Sequence, residues 1–159
     1  MNEIAYPDVS RLRQLFPVTR SCAYLNHAAI GTLSDPVRSA MEAFLMHRSG
    51  SGEEGEYATL DSELRAALAN LVHASPDEIG FVQNTSEGLN VIANGLPLDR
   101  GDNVLFCDME FPSNVYPWMN LGRRGVEPRC VPHQGGGMTL EAVEAHADDR
   151  TRVVAVSSV

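Results

Sequence analysis

The chain has 159 residues, 43% of them hydrophobic, and 12 basic against 21 acidic side chains give it a formal charge of −9. That length suffices for a domain with its own core, and the negative charge repels polyanions, which argues against nucleic-acid and anionic-membrane binding. No apolar run approaches the roughly 20 residues of a membrane span, and Met1-Asn2-Glu3 begins without the basic segment of a secretory signal, so a soluble, cytoplasmic protein is expected.

The predicted elements begin with a short amphipathic helix over Val9 to Phe16 and an extended pair, Tyr24-Leu25, before the loop NHAAIG at 26–31. Ser34-Asp35-Pro36 reads as a helix start, because a polar cap and a first-turn proline suit the unpaired N–H groups there. Val37, Ala40, Met41, Phe44 and Leu45 follow at helical spacing and are expected to face a core. The run RSGSGEEGE at 48–56 breaks the pattern as a solvated loop, dividing an N-terminal arm, 1–56, from a main body, 57–159. Leu60, Leu64, Leu68, Leu71 and Val72 rebuild an apolar stripe.

Beyond Ser75-Pro76-Asp77-Glu78, which matches a capping box, strands and helices alternate. Buried strands are expected at 79–83 (IGFVQ), 103–108 (NVLFCD), 127–132 (EPRCVP) and 152–159 (RVVAVSSV). Between them fall a helix with Leu89, Ile92, Ala93 and Leu96 inward and Gly95 at its end, a helix from Pro112 to about Gly122, and one from Thr139 to about Ala147. Alternation of this kind predicts an α/β fold, a mostly parallel sheet with helices on both faces. Ligands of such sheets bind at the carboxyl ends of the strands, where loops 84–86, 109–114 and 133–138 would converge. The last strand stops without a turn or polar tail, so the chain reads as the first part of something longer.

Cys22, Cys107 and Cys130 are odd in number and far apart, which fits neither a disulfide framework nor a C-x-x-C pair. His27, His47, His73, His133 and His146 show no metal-binding spacing, and no metal is expected. HQGGGM at 133–138 lacks the pattern of a nucleotide loop and reads as a flexible turn.

The chemistry is expected in two motifs. In QNTSEG (83–88) Thr85 and Ser86 fall in the first turn of a helix that follows a strand, so hydroxyls, unpaired N–H groups and the positive helix end would face one phosphate. An ordinary helix cap would look the same. In DMEFPSNVYPW (108–118) Phe111 leaves a strand end just before a Pro-Ser helix start, where its ring could lie over a flat ligand, a contact worth about 0.5–1.5 kcal/mol beyond area burial. Phe111 and Trp118 would also serve as core aromatics. A phosphate cradle beside a stacking aromatic suggests a planar phosphorylated cofactor.

YLNHAAIG (24–31), FVQNTSEGLN (81–90) and DMEFPSNVYPW (108–118), in this order, resemble the class V aminotransferase family, the fold-type-I pyridoxal-phosphate enzymes that include cysteine desulfurases, kynureninases and isopenicillin-N-epimerase-like proteins. The resemblance runs from about Tyr24 to Val159 and implies that 57–159 is a partial cofactor-binding large domain. It places pyridoxal 5'-phosphate on Thr85 and Ser86 through its phosphate and on Phe111 through its ring, with Asn114 close by. Asn26 and His27 match the loop beside the substrate. Desulfurases carry an acid-base histidine where Phe111 stands, a role phenylalanine cannot fill, which speaks against desulfuration. The family also holds its cofactor as a Schiff base on a lysine, with an aspartate at the ring nitrogen, both downstream of the strand that ends at Val159. All twelve basic residues here are arginines. The resemblance therefore implies the N-terminal part of an enzyme that acts on an amino acid or similar amine, a homodimer when whole and inactive as this piece, with no catalytic residue of its own. The alternative outside enzymes is a non-catalytic α/β module that binds a phosphorylated ligand or a partner chain.

Overall fold

A computed structural model describes residues 8–50 and 55–157. The chain divides into two compact units, Met1–Pro76 and Asp77–Val159. In the first, helix α1 (Val9–Gln14) is capped by Asp8, whose Oδ1 accepts from the N–H groups of Ser10 at 3.0 Å and Arg11 at 3.3 Å. The N–H of Asp35 donates to the carbonyl of Leu15 at 2.8 Å, which ties the start of α2 (Asp35–Gly50) to the end of this opening segment. Helix α3 (Leu60–Val72) completes the unit.

The inward face expected of α2 is not buried, and much of the apolar stripe of α3 is exposed as well. Val37, Met41 and Leu45 stand exposed on α2, as do Leu60, Leu64, Leu71 and Val72 on α3. Helical spacing puts these side chains on one side of each helix, but spacing cannot supply the surface that would cover them. Helix α2 also continues through Arg48, Ser49 and Gly50, three positions that the glycine-rich composition assigned to a loop; positions 51–54 of that loop lie outside the described residues.

The second unit holds α4 (Thr85–Gly95), β1 (Asn103–Cys107), α5 (Tyr116–Asn120), β2 (Glu127–Val131), α6 (Leu140–His146) and β3 (Thr151–Ala155). The strands are parallel, in the order β2-β1-β3, so the α/β class and the parallel sheet stand as expected. Every residue of β1 is buried, and its side chains alternate between faces with the two-residue period of a strand. Val104 and Phe106 pack with Ala93 of α4, Trp118 of α5, Leu121 and Val126. Leu105 points the other way, to Val131 and Ala142 of α6. Pro128 is tolerated because β2 borders only β1 among the described strands, and an unpaired side leaves its missing N–H without consequence.

Polar groups at the amino end of the sheet fix the register. Asn103, fully buried, donates through Nδ2 to Asp148 Oδ1 at 2.8 Å and accepts from the Thr151 hydroxyl at 2.7 Å. Arg129 reaches Asp148 at 2.7 Å, Glu127 at 2.8 Å and the His146 carbonyl at 3.0 Å. Asp102, also buried, accepts from the Asp99 N–H at 2.8 Å, and its other oxygen faces the Nε atoms of Arg150 and Arg152 at 3.3 and 3.5 Å without hydrogen-bond alignment. The turn that delivers Asp102 needs Gly101 at φ +87°, a left-handed backbone that other residues resist. Arg152 is the extra residue where β3 shifts register against β1, between the pairs Asn103–Thr151 and Val104–Val153.

Two expected elements differ. Residues 79–82 form no strand among the described residues, and Phe81 and Val82 are about half exposed. An apolar run of strand length marks burial potential and does not by itself fix a ladder. The helix expected from Pro112 to Gly122 is broken into a 3-10 turn (Pro112–Asn114), α5 and a second 3-10 turn (Leu121–Arg124). Pro117 lacks the N–H that a helix running through it from Pro112 would require. Of the expected final strand, 158 and 159 lie outside the described residues.

Truncating Leu105 to Ala should lower stability by about 2–5 kcal/mol, read as a lower urea midpoint at unchanged slope. The Arg129 guanidinium, then the Arg150 N–H and the Asn103 amide, hold the Asp148 carboxyl down at about 2 against an ordinary 3.8. Its stabilisation is therefore complete above about pH 3.8 and lost as the pH falls toward 2. At neutral pH Asp148→Asn should be modestly less stable than wild type, since a side chain 44% exposed is screened by water. Denaturation across pH should show that gap closing below pH 3.8.

Candidate cofactor site

The backbone bends at Gln83-Asn84 as it enters the first motif. Asn84, at φ −162° and ψ 168°, is the N-cap of α4, and its Oδ1 accepts from the N–H of Glu87 at 2.9 Å. Glu87 answers with Oε2, which accepts from the N–H of Gln83 at 2.8 Å. A reciprocal pair of this kind satisfies two donors that would otherwise point into water. Thr85 and Ser86 are thus the first two helical residues and not the cap itself, as the sequence reading left possible. Both are exposed, and among the described residues neither their N–H groups nor their hydroxyls have a protein partner. Gly88 keeps α4 close to the incoming segment, since a Cβ there would meet Val82 Cγ2 at 3.3 Å.

The second motif leaves β1. Phe111 precedes the 3-10 turn at φ −66° and ψ 144°, with 72% of its surface exposed. Its ring is not part of the core. Trp118 is, at 3% exposure, and its indole N–H donates to Asn114 Oδ1 at 3.1 Å. Asn114 is itself buried, so its carbonyl oxygen serves the core and leaves only the amide NH₂ for any ligand. Helix α4 packs against the 112–114 turn and α5, which puts both motifs on one face of the sheet.

Asn26 and His27 belong to the first unit. The Tyr24 hydroxyl donates to the carbonyls of Asn26 at 3.2 Å and Ile30 at 2.9 Å, closing the loop, and the His27 ring meets Tyr24 edge-on at 5.1 Å. A groove of about 300 Å³ there is lined by Leu12, Arg13, Phe16, Tyr24 and His27, among others.

Four residues that the sequence reading did not single out organise the carboxyl end of the sheet. Asp108 Oδ1 accepts from the backbone N–H of His133 at 2.9 Å and lies 3.0 Å from its Nδ1. Partial burial pushes the Asp108 carboxyl up, but the hydrogen bonds from His133 outweigh it and leave the group below its ordinary value. Burial, followed by the charge of Asp108, raises the Cys130 thiol. Glu110 accepts from both the N–H and the hydroxyl of Ser157, each at 2.6 Å. Met109, Glu110, Gly136, Met138 and Ser157 line a cleft of about 210 Å³. Loops 109–114 and 133–138 thus meet beside the end of β3, whereas residues 84–86 do not line this cleft. The signal was the pair of acids in CDME, directly after a buried strand.

The second unit is an α/β unit with parallel strands and helices on both faces of its sheet, the arrangement of fold-type-I enzymes. Among solved structures, the apo cysteine desulfurase from Thermococcus onnurineus NA1 matches with TM-score 0.77 and 25% identity, over 94% of this chain and 40% of that one. A C-DES mutant with glycine covalently linked to the PLP cofactor matches with TM-score 0.77 over the same shares, a likeness of fold alone at 23% identity. A probable cysteine desulfurase of Methanothermobacter thermautotrophicus is 33% identical over 93% of this chain and 39% of its own length. The cysteine desulfurase of Salmonella newport is 32% identical over 95% and 42%. The family model for class-V aminotransferases matches residues 23–159. The chain belongs to the class-V aminotransferase family, which is pyridoxal-phosphate dependent, and spans about two fifths of the length of these curated relatives.

Asn84→Ala should destabilise α4 by about 1 kcal/mol, because it strips the acceptor from the Glu87 N–H. A urea midpoint unchanged in that variant would show that the cap contributes nothing.

Proposed function

We propose that the chain is the N-terminal, cofactor-gripping part of a pyridoxal-phosphate-dependent enzyme that acts on an amino acid. The carrying observation is the start of α4, where Asn84 and Glu87 satisfy each other's segment and leave the N–H groups and hydroxyls of Thr85 and Ser86 for an anion. That donor set fits a phosphate, with the positive end of an 11-residue helix behind it. Glu87 is not a competitor for the site, because its carboxylate is turned back onto Gln83. Phe111 presents an exposed ring one turn from α5, suited to lie against a pyridine and fix its plane. Asn114 contributes at most its amide NH₂. Asn26 and His27 would face the substrate.

When bound, the cofactor supplies an electron sink for the carbon next to the substrate amine. This chain's residues hold and orient; none of its side chains is a lysine amine, so turnover requires chain beyond these 159 residues. The whole protein would be a cytoplasmic homodimer that takes an amino-acid substrate. A second reading, cysteine desulfuration, is supported by the names of the relatives. Phe111 opposes it, since a phenyl ring can neither donate nor accept the proton a histidine would carry at that position.

Quenching of Trp118, the single tryptophan, should report pyridoxal phosphate binding to this chain. Thr85→Ala with Ser86→Ala should weaken binding at least tenfold, and Phe111→Ala about two- to tenfold, the range of a stacking contact. Pyridoxal without its phosphate should bind far more weakly. Equal binding of the two compounds would sink the cradle, and saturable binding of inorganic phosphate alone would favour the non-catalytic module. A version extended through the reading frame, given other amino acids or L-cysteine with a thiol reductant, should show amino-group chemistry; alanine formed together with sulfide, the sulfur being reduced by the added thiol, would favour the second reading.

A further inference from the structure

Two carboxylates leave the exit of β1, and each binds a different neighbour. Asp108 holds His133 after β2, and Glu110 holds Ser157 after β3. Glu110 uses both oxygens, Oε1 for the Ser157 N–H and Oε2 for its hydroxyl, each at 2.6 Å. Its own N–H donates to the carbonyl of Cys107 at 3.2 Å, closing a turn on the last residue of β1. Hydrogen bonds to an ionised acceptor are shorter and about twice as strong as neutral ones, so this joint fixes Glu110 at both its backbone and its side chain. The next residue is Phe111, whose ring has no core contact to hold it. An exposed aromatic on a loose loop would have to be ordered each time a ligand arrived, at the expense of conformational entropy.

We propose that Glu110 is a positioning residue. By clamping Ser157 it joins the exits of β1 and β3 and fixes the backbone from which Phe111 presents its ring to a planar ligand. The ligand half of this inference rests on the reading of Phe111 as the stacking aromatic; the clamp is measurable without any ligand.

NMR on the 159-residue chain tests it. In Glu110→Ala the Ser157 amide should exchange at least tenfold faster. The backbone order parameter of Phe111 should fall from about 0.85 to below 0.6, while the buried Leu105 amide keeps its protection. Glu110→Gln retains an acceptor for the Ser157 N–H and should restore most of the order. Ser157→Ala keeps the N–H but loses the hydroxyl, and should fall between the two; it decides the matter by the same readouts if Glu110→Ala does not fold. Affinity for pyridoxal phosphate should drop about tenfold in Glu110→Ala, with affinity for inorganic phosphate unchanged. A Phe111 order parameter that stays near 0.85 in these variants, or an unchanged Ser157 exchange rate, overturns the proposal. If both move as expected while wild type fails to distinguish pyridoxal phosphate from pyridoxal, the clamp stands and the cofactor reading falls.

Discussion

Asn103 heads a strand buried along its whole length, and its amide is satisfied only when Asp148 and Thr151 arrive together. A buried amide left unpaired costs about 1–3 kcal/mol, so one alignment of β3 against β1 is strongly preferred over its neighbours. Arg129 repeats the logic on the other side by bridging Glu127 of β2 to Asp148. Because a slip of one residue would also turn Leu105 toward α4 and α5 and Phe106 toward α6, the polar and apolar demands agree. What the opposite end of the sheet can do depends on this agreement, since strand exits are placed only as well as strands are aligned.

At that opposite end the chain spends acidic groups on order. Asp108 and Glu110 reach sideways to the neighbouring exits, and Glu87 reaches back to Gln83. An overall charge of −9 looks unsuited to holding a phosphate ester, yet each of these three carboxylates is already engaged by local donors. What remains for an anion is backbone and hydroxyl at the start of α4. Local geometry, not net charge, sets the affinity of such a site.

Much of this was legible in the residues. The three hydrogen-bonded strands, α4 and α6 all appear where alternating apolar stretches and turn residues put them, because each is specified by its own segment. The strand expected at 79–83 is not formed among the described residues and the α2 face expected in a core stays exposed, because burial depends on the surface that meets a segment and no local pattern encodes that surface. Thr85, Ser86 and Phe111 were singled out through chemistry as much as spacing, and all three stand exposed. Asn84 was overlooked although Asn followed three residues later by Glu is itself a cap signal. Asp108 and Glu110 were not singled out, since partners 25 and 47 residues away are not encoded by the residues beside them.

The sheet's connectivity also bears on how the chain is made. Its central strand emerges first, but its two neighbours begin only at Glu127 and Thr151, so during synthesis the most apolar segment waits unpaired. Closing such long loops precedes any gain from strand pairing, which slows folding relative to a helical bundle of equal size. Nascent chains interrupted before Thr151 would display one bare flank of β1, a surface that chaperones and aggregates would compete to occupy.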